Sequence, residues 1–210
     1  MKSLVQVSRI SLAIYLTILL VFLLFERRLV FPAPRAVASQ VDARKFGGED
    51  VFFPSSDGTQ LHGQYFPHDR PRGQLIYCHG NGDMVPRLSE YANWMRTKYG
   101  YSVFIFDYRG YGLSHGKPEE HGIMRDAESA HDWLLGRSGC VANDVVIIGR
   151  SLGGGVAVHL ASHRGARGLV LQNTFSSLIE TAAEHYPWLP VRMVMKTQMI
   201  SIDKIGDYQG

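Results

Sequence analysis

Apolar positions along the chain fall into two unlike regimes. From residue 10 to 25 the sequence reads ISLAIYLTILLVFLLF, interrupted only by the hydroxyls of Ser11 and Thr17, with Lys2 and Arg9 before it and Glu26, Arg27 and Arg28 after it. A run that is apolar on all sides has no polar face to turn to water, unlike a surface helix of a soluble domain. Beyond residue 46, apolar runs of strand length alternate with amphipathic stretches, the pattern of an α/β domain with a mostly parallel sheet and helices on both faces. Residues 50–53 and 60–66 flank the turn-rich Ser56-Asp57-Gly58-Thr59 and predict a hairpin. Residues 75–78, 102–106 and 145–148 read as strands, the last (VVII) β-branched and uncharged as a central strand should be. Helical spacing of Leu88, Tyr91, Trp94 and Met95 predicts a helix over 87–98, and that of Ile123, Ala127, Ala130 and Leu134 another over 119–135.

The first regime divides the chain. Residues 1–31 read as an N-terminal membrane anchor or signal segment, 32–45 as a Pro-containing linker, and 46–210 as the folded domain. At 1.5 Å per residue the uninterrupted run is slightly shorter than the ~20 residues that cross a hydrocarbon core, although Val5 and Leu29 to Phe31 can extend it. Three readings remain open: a single-pass anchor, which is favoured; a signal peptide cleaved near Ala36-Val37-Ala38, giving a secreted or periplasmic domain; and a buried core helix. Positive charge stands on both sides of the run, so orientation is weakly specified, and the folded domain is expected outside the cytoplasm.

Composition narrows the chemistry. The 210 residues carry 22 Lys+Arg against 19 Asp+Glu, scattered rather than clustered, which argues against nucleic acid as a partner. Two cysteines, Cys78 and Cys140, exclude a disulfide scaffold and lack a metal-binding spacing; no H-E-x-x-H or close Cys/His set is present in the sequence, and neither metal nor cofactor is expected. Oligomeric state is not specified.

The densest signal is Gly149-Arg150-Ser151-Leu152-Gly153, set between the strand VVII and a run over 154–163 that can continue as a helix. This is the strand, sharp turn, helix context of a G-x-S-x-G nucleophile elbow. Ser151 is the candidate nucleophile. The backbone N–H of Leu152, at the helix start, is a candidate oxyanion donor. Tyr77-Cys78-His79-Gly80-Asn81-Gly82-Asp83 leaves another strand as a Gly-rich loop, from which the backbone N–H near Asn81 is the second candidate donor. His79 is expected to shape this loop rather than move a proton. Asp107-Tyr108-Arg109-Gly110-Tyr111-Gly112 ends the strand before residue 107, and Asp107 with Arg109 reads as a structural ion pair. All three loops fall at the carboxyl ends of strands, where open α/β sheets bind ligands.

Together YCHGNGD, FDYRGYGLSHG and GRSLGGG resemble the α/β-hydrolase superfamily, in particular the membrane-anchored serine hydrolases of the ABHD12/13/17 and Bem46-like group, from about Glu49 to Gly210. The resemblance implies Ser151 as nucleophile, Asn81 and Leu152 as oxyanion donors, and esterase, lipase or thioesterase activity on a small-molecule or lipid-like acyl substrate. It also implies that 174–200 forms a helical cap segment. Tyr186, Trp188, Leu189, Met193, Val194 and Met195 could line an acyl cleft there, or simply pack as helices.

The departure lies in the base. In this superfamily the acid and then the His follow the Ser along the chain, yet no His follows Asp203 or Asp207. His159 and His163 should point away along the helix; His185, with Glu180 or Glu184 before it, is the remaining guess. The expectation is that the C-terminal strands are missing and that turnover belongs to a longer parent. A membrane-anchored binding or scaffold protein that keeps the fold without turnover is the rival. A phosphate-loop reading of 80–83 fails for want of the Lys-Ser/Thr ending.

Overall fold

The computed structural model describes residues 2–38 and 42–210. Strands β1 (Glu49–Pro54) and β2 (Gln60–Phe66) form the antiparallel hairpin expected from the turn at residues 55–59. They are followed by β3 (Gln74–Cys78), β4 (Ser102–Phe106), β5 (Val145–Arg150) and β6 (Gly168–Gln172). The sheet runs in the order β1-β2-β4-β3-β5-β6; β2 and β4 pair antiparallel, and the pairs from β4 through β6 are parallel.

Side-chain alternation along the strands explains the layers. Leu75, Tyr77, Val103 and Ile105 face one side, where helix α2 (Val85–Tyr99) covers them with Val85, Leu88, Ala92 and Met95. Ile76, Cys78, Phe104 and Phe106 face the other, beneath α3 (Glu120–Ser138) and α4 (Leu152–Arg164). Both central strands, β3 and β4, are buried throughout, as continuous apolar runs in a doubly covered sheet must be. At the far edge, Val170 and Leu171 of β6 remain 42% and 39% exposed.

Past β6 come the short helices α5 (Leu178–His185) and α6 (Val191–Val194), within the segment expected to be helical, and α7 (Ile202–Ile205) beyond it. At the front, α1 (Lys2–Val30) is longer than the uninterrupted apolar run, 29 residues or about 43 Å. From residue 4 to 30 it is long and apolar enough to cross a membrane. Phe31 donates its N–H to the Arg27 carbonyl at 2.8 Å before Pro32 ends the helix.

The segment expected to be a linker is held at its start. Phe31 is buried in the main core. Gly112 donates its N–H to the Pro34 carbonyl at 2.8 Å, Ala36 donates to Gly112 at 3.1 Å, and the Arg35 guanidinium donates to the Ser114 carbonyl at 2.6 Å. Residues 43–46 form a single 3-10 turn, while 39–41 lie outside the described residues.

Candidate active site

Ser151 sits between β5 and α4 at φ 50° and ψ −119°, a backbone conformation that side chains other than glycine rarely adopt. Such a residue costs on the order of 1–3 kcal/mol and persists only where its surroundings hold it. Here they do. Ser151 donates its N–H to the Gln172 carbonyl at 2.9 Å, and its own carbonyl accepts from the Gly154 N–H and the Thr174 hydroxyl, both at 2.8 Å.

The glycines of the motif answer to close packing. A Cβ on Gly149 would lie 2.5 Å from the Ala157 Cβ, and one on Gly153 would overlap the Cys78 carbonyl at the end of β3. Turn and helix therefore press against the strand end that carries the second loop.

Ser151, Leu152 and Asn81 line one cleft of about 520 Å³, within the usual ~300–1,000 Å³ of a small-ligand site. Leu152 opens α4, where helical N–H groups lack intrahelical partners. Neither its N–H nor that of Asn81 is hydrogen-bonded among the described residues. The Asn81 side chain bridges two elements: its amide donates to the Val30 carbonyl at 2.6 Å, and its Oδ1 accepts from the Tyr111 hydroxyl at 2.9 Å.

Beyond this polar floor the walls are apolar. Leu178 and Ala182 of α5, with Tyr186, Trp188, Leu189, Val191 and Met195, form one side. Of the residues expected there, Met193 is 87% exposed, and neither it nor Val194 lines the cleft. The opposite side comes from α1 through Ile18, Val21, Phe22, Leu29 and Val30. Sequence reasoning missed this wall, because a helix apolar on all sides carries no sign of which stripe will dock.

No histidine among the described residues is hydrogen-bonded to Ser151. The His159 ring meets Glu128 at 2.7 Å and stacks on His163 with centroids 4.1 Å apart. His185 is exposed and hydrogen-bonds the Thr181 carbonyl one turn back. Glu180, a candidate acid for it, instead accepts from the Arg192 guanidinium at 3.0 Å.

His79 behaves as the loop-shaping residue expected. It is buried between Tyr108 and Tyr111, its Nδ1 lies 2.9 Å from the Gly80 carbonyl, and its own carbonyl accepts from the Tyr108 hydroxyl at 3.0 Å.

The expected Asp107–Arg109 pair does not form, because β4 ends at Phe106 and the chain turns at residues 109–110, so each side chain meets other partners. Asp107 turns inward, accepts the first N–H of α2 from Val85 at 2.9 Å, and faces His62 and His79 at 3.5 Å each. Arg109 instead grips Asp126 of α3 at 2.7 Å and Asp57 of the hairpin turn at 2.8 Å. Its hydrogen bond holds the Asp57 carboxyl well below the usual carboxylate range.

This sheet order, with a strained serine at the end of β5 and glycine-rich loops beside it, defines an α/β-hydrolase fold. Among solved structures, an alpha-beta hydrolase from Vibrio vulnificus superposes with a TM-score of 0.67 at 22% identity, over 79% of this chain and 61% of that one. The family model for serine aminopeptidase, S33, matches residues 69–203, and the chain belongs to that family.

Two relatives mark its neighbourhood. The chain is 39% identical over 184 residues to the uncharacterized protein Rv2307c of Mycobacterium tuberculosis, covering 86% of this chain and 65% of that protein. It is 36% identical over 125 residues to protein bem46 of Schizosaccharomyces pombe, covering 58% and 41% respectively. The chain thus spans less than two thirds of the length of either relative.

Proposed function

We propose that Ser151 is the nucleophile of a serine hydrolase that cleaves an ester or thioester through an acyl-enzyme. The observation that carries this reading is the left-handed turn at Ser151, which opens into the same cleft as the unpaired N–H groups of Asn81 and Leu152. In the reaction the Ser151 Oγ bonds to the acyl carbon, and the two amides receive the negative charge that develops on the carbonyl oxygen. The bond to the alcohol or thiol then breaks, the leaving group takes up the serine proton by way of a general base, and water releases the acid. That base and its orienting acid belong, in this reading, to a longer protein with further strands after β6.

The finer placement, among the membrane-anchored ABHD12/13/17 and Bem46-like hydrolases, is supported by α1, whose free faces are apolar over most of its length. An anchor fits better than cleavage near Ala36-Val37-Ala38, since cleavage there removes Phe31 from the core and the strap at Gly112. On this view the enzyme is a single-pass membrane protein with its hydrolase domain outside the cytoplasm.

A fluorophosphonate probe tests the nucleophile. The full-length protein is expected to label strongly and its Ser151→Ala variant not at all, with weak labelling of the 210-residue chain; equal labelling of wild type and Ser151→Ala sinks the assignment. The absence of a base beside Ser151 motivates the rival reading, a membrane-anchored binding or scaffold protein. Full-length protein that neither labels nor hydrolyses p-nitrophenyl esters of any chain length would favour it.

A further inference from the structure

Helix α1 touches the folded domain through one stripe. Tyr15, Leu19, Phe22, Glu26 and Val30 are its covered positions, spaced by three or four residues as a single helical face requires. Leu19 and Phe22 pack against Ala183, Leu189 and Val191, and the Tyr15 hydroxyl donates to the Trp188 carbonyl at 3.2 Å.

Below them lies a polar lock. The buried Glu26 accepts the N–H groups of Lys196 and Thr197, both at 2.9 Å, while Glu120 of α3 accepts those of Gln198 and Met199 at 2.7 and 3.0 Å. Four successive amides of the arm that returns from α6 are thus shared between two carboxylates, one of them on α1. A carboxylate in an apolar helix is costly unless hydrogen-bonded, so this contact fixes the helix in rotation and height.

Beside the docked stripe, Ile18 and Val21 are 41% and 47% exposed, and both face the cleft that contains Ser151. The stretch of α1 along it, from Val30 to Ile18, is about 18 Å long. We propose that α1 is the specificity wall of this hydrolase: the substrate's acyl chain lies between α1 and α5, and Ile18 and Val21 set the chain length accepted. The inference rests on the serine-hydrolase reading and adds to it the position of the chain.

The test uses the full-length protein in lipid nanodiscs, with butanoyl and hexadecanoyl p-nitrophenyl esters and the substitutions Ile18→Trp and Val21→Trp. Both positions are exposed, so the larger ring has room without disturbing the docked stripe. The ratio of the hexadecanoyl rate to the butanoyl rate is expected to fall about tenfold or more, since each buried methylene contributes about fourfold.

A second measurement does not need turnover. Ser151→Ala protein is irradiated with a hexadecanoyl ester that carries a terminal diazirine, and the label is expected on the peptide containing Ile18 and Val21. Wild type that cleaves both esters with a chain-length profile unmoved by either tryptophan overturns the inference alone, as does a diazirine label confined to other segments. Wild type that cleaves neither ester and fails to label with fluorophosphonate overturns the hydrolase reading and this inference with it.

Discussion

The side-chain amide of Asn81 donates to the carbonyl oxygen of Val30 across 2.6 Å, joining the loop after β3 to the last turn of the N-terminal helix. A helix leaves its final carbonyls without intrahelical partners, and here one of them braces the loop that carries a candidate oxyanion donor. Asn81→Ala removes this bond and the one from Tyr111 but keeps the backbone N–H. We expect a loss of about 1–2 kcal/mol, read as a lower thermal unfolding midpoint, with faster trypsin cleavage after Arg27 and Arg28. Unchanged proteolysis would show that the bond does not hold helix and loop together.

Gly153→Ala places a methyl group against the Cys78 carbonyl. Relief requires α4 to move away from β3, so the turn at Ser151 loses its geometry. A cost of about 3 kcal/mol is expected, together with loss of fluorophosphonate labelling in the full-length protein. Gly136→Ala is the contrast, because Gly136 is an exposed position of α3 where a Cβ meets nothing within 4 Å. It should raise stability by about 0.5–1 kcal/mol, and thermal denaturation of the two variants side by side checks both signs.

Arg109 satisfies two carboxylates from distant parts of the chain, and its guanidinium is itself nearly buried. Arg109→Met leaves Asp126 in the interior without its cation, a change that typically costs about 3–5 kcal/mol. Lysine should not rescue it, because one ammonium cannot reproduce the planar fork that reaches Asp126, Asp57 and Ser55. Recovery of wild-type stability by Arg109→Lys, measured by urea denaturation, would contradict this account.

Burial pushes the Cys78 thiol up to about 12, and the buried Tyr77 phenol likewise up to about 12. Both groups are neutral when protonated, so the folded chain holds their protons more tightly than the unfolded chain does. Their contribution is complete below pH 9, the ordinary thiol value, and declines as pH rises towards 12. Stability should therefore fall progressively above about pH 9, and Cys78→Ser should flatten part of that slope in a pH series of unfolding midpoints. Iodoacetamide at pH 8 should modify the half-buried Cys140 and spare Cys78 until the chain unfolds.

What the sequence made legible follows the strength of local periodicity. The strands at 75–78, 102–106 and 145–148 are flanked by turns and rich in β-branched or aromatic residues, and each appears within two residues of its expected ends. The sharp turn at Ser151 was legible because strand, glycines and helix start coincide at one point. The strand Gly168–Gln172 was not singled out, since five residues opening on glycine carry too little pattern.

The partner of Arg109 was also hidden: Asp126 lies 17 residues away on a helix, and only the packing of α3 against the loop brings it close. Glu26 looked like a flanking charge after an apolar run. Its role as an acceptor for residues 196 and 197 depends on a contact across 170 positions of chain.

The burial of Phe31 and the pairing of Gly112 with Pro34 and Ala36 leave the domain no swivel beneath its helix. A protein mounted in this way cannot nod or rotate on a string of loose residues. If α1 is the anchor proposed above, whatever tilt it takes up is passed on to the cleft beside Ser151, and the angle of the mount sets the direction in which that cleft opens.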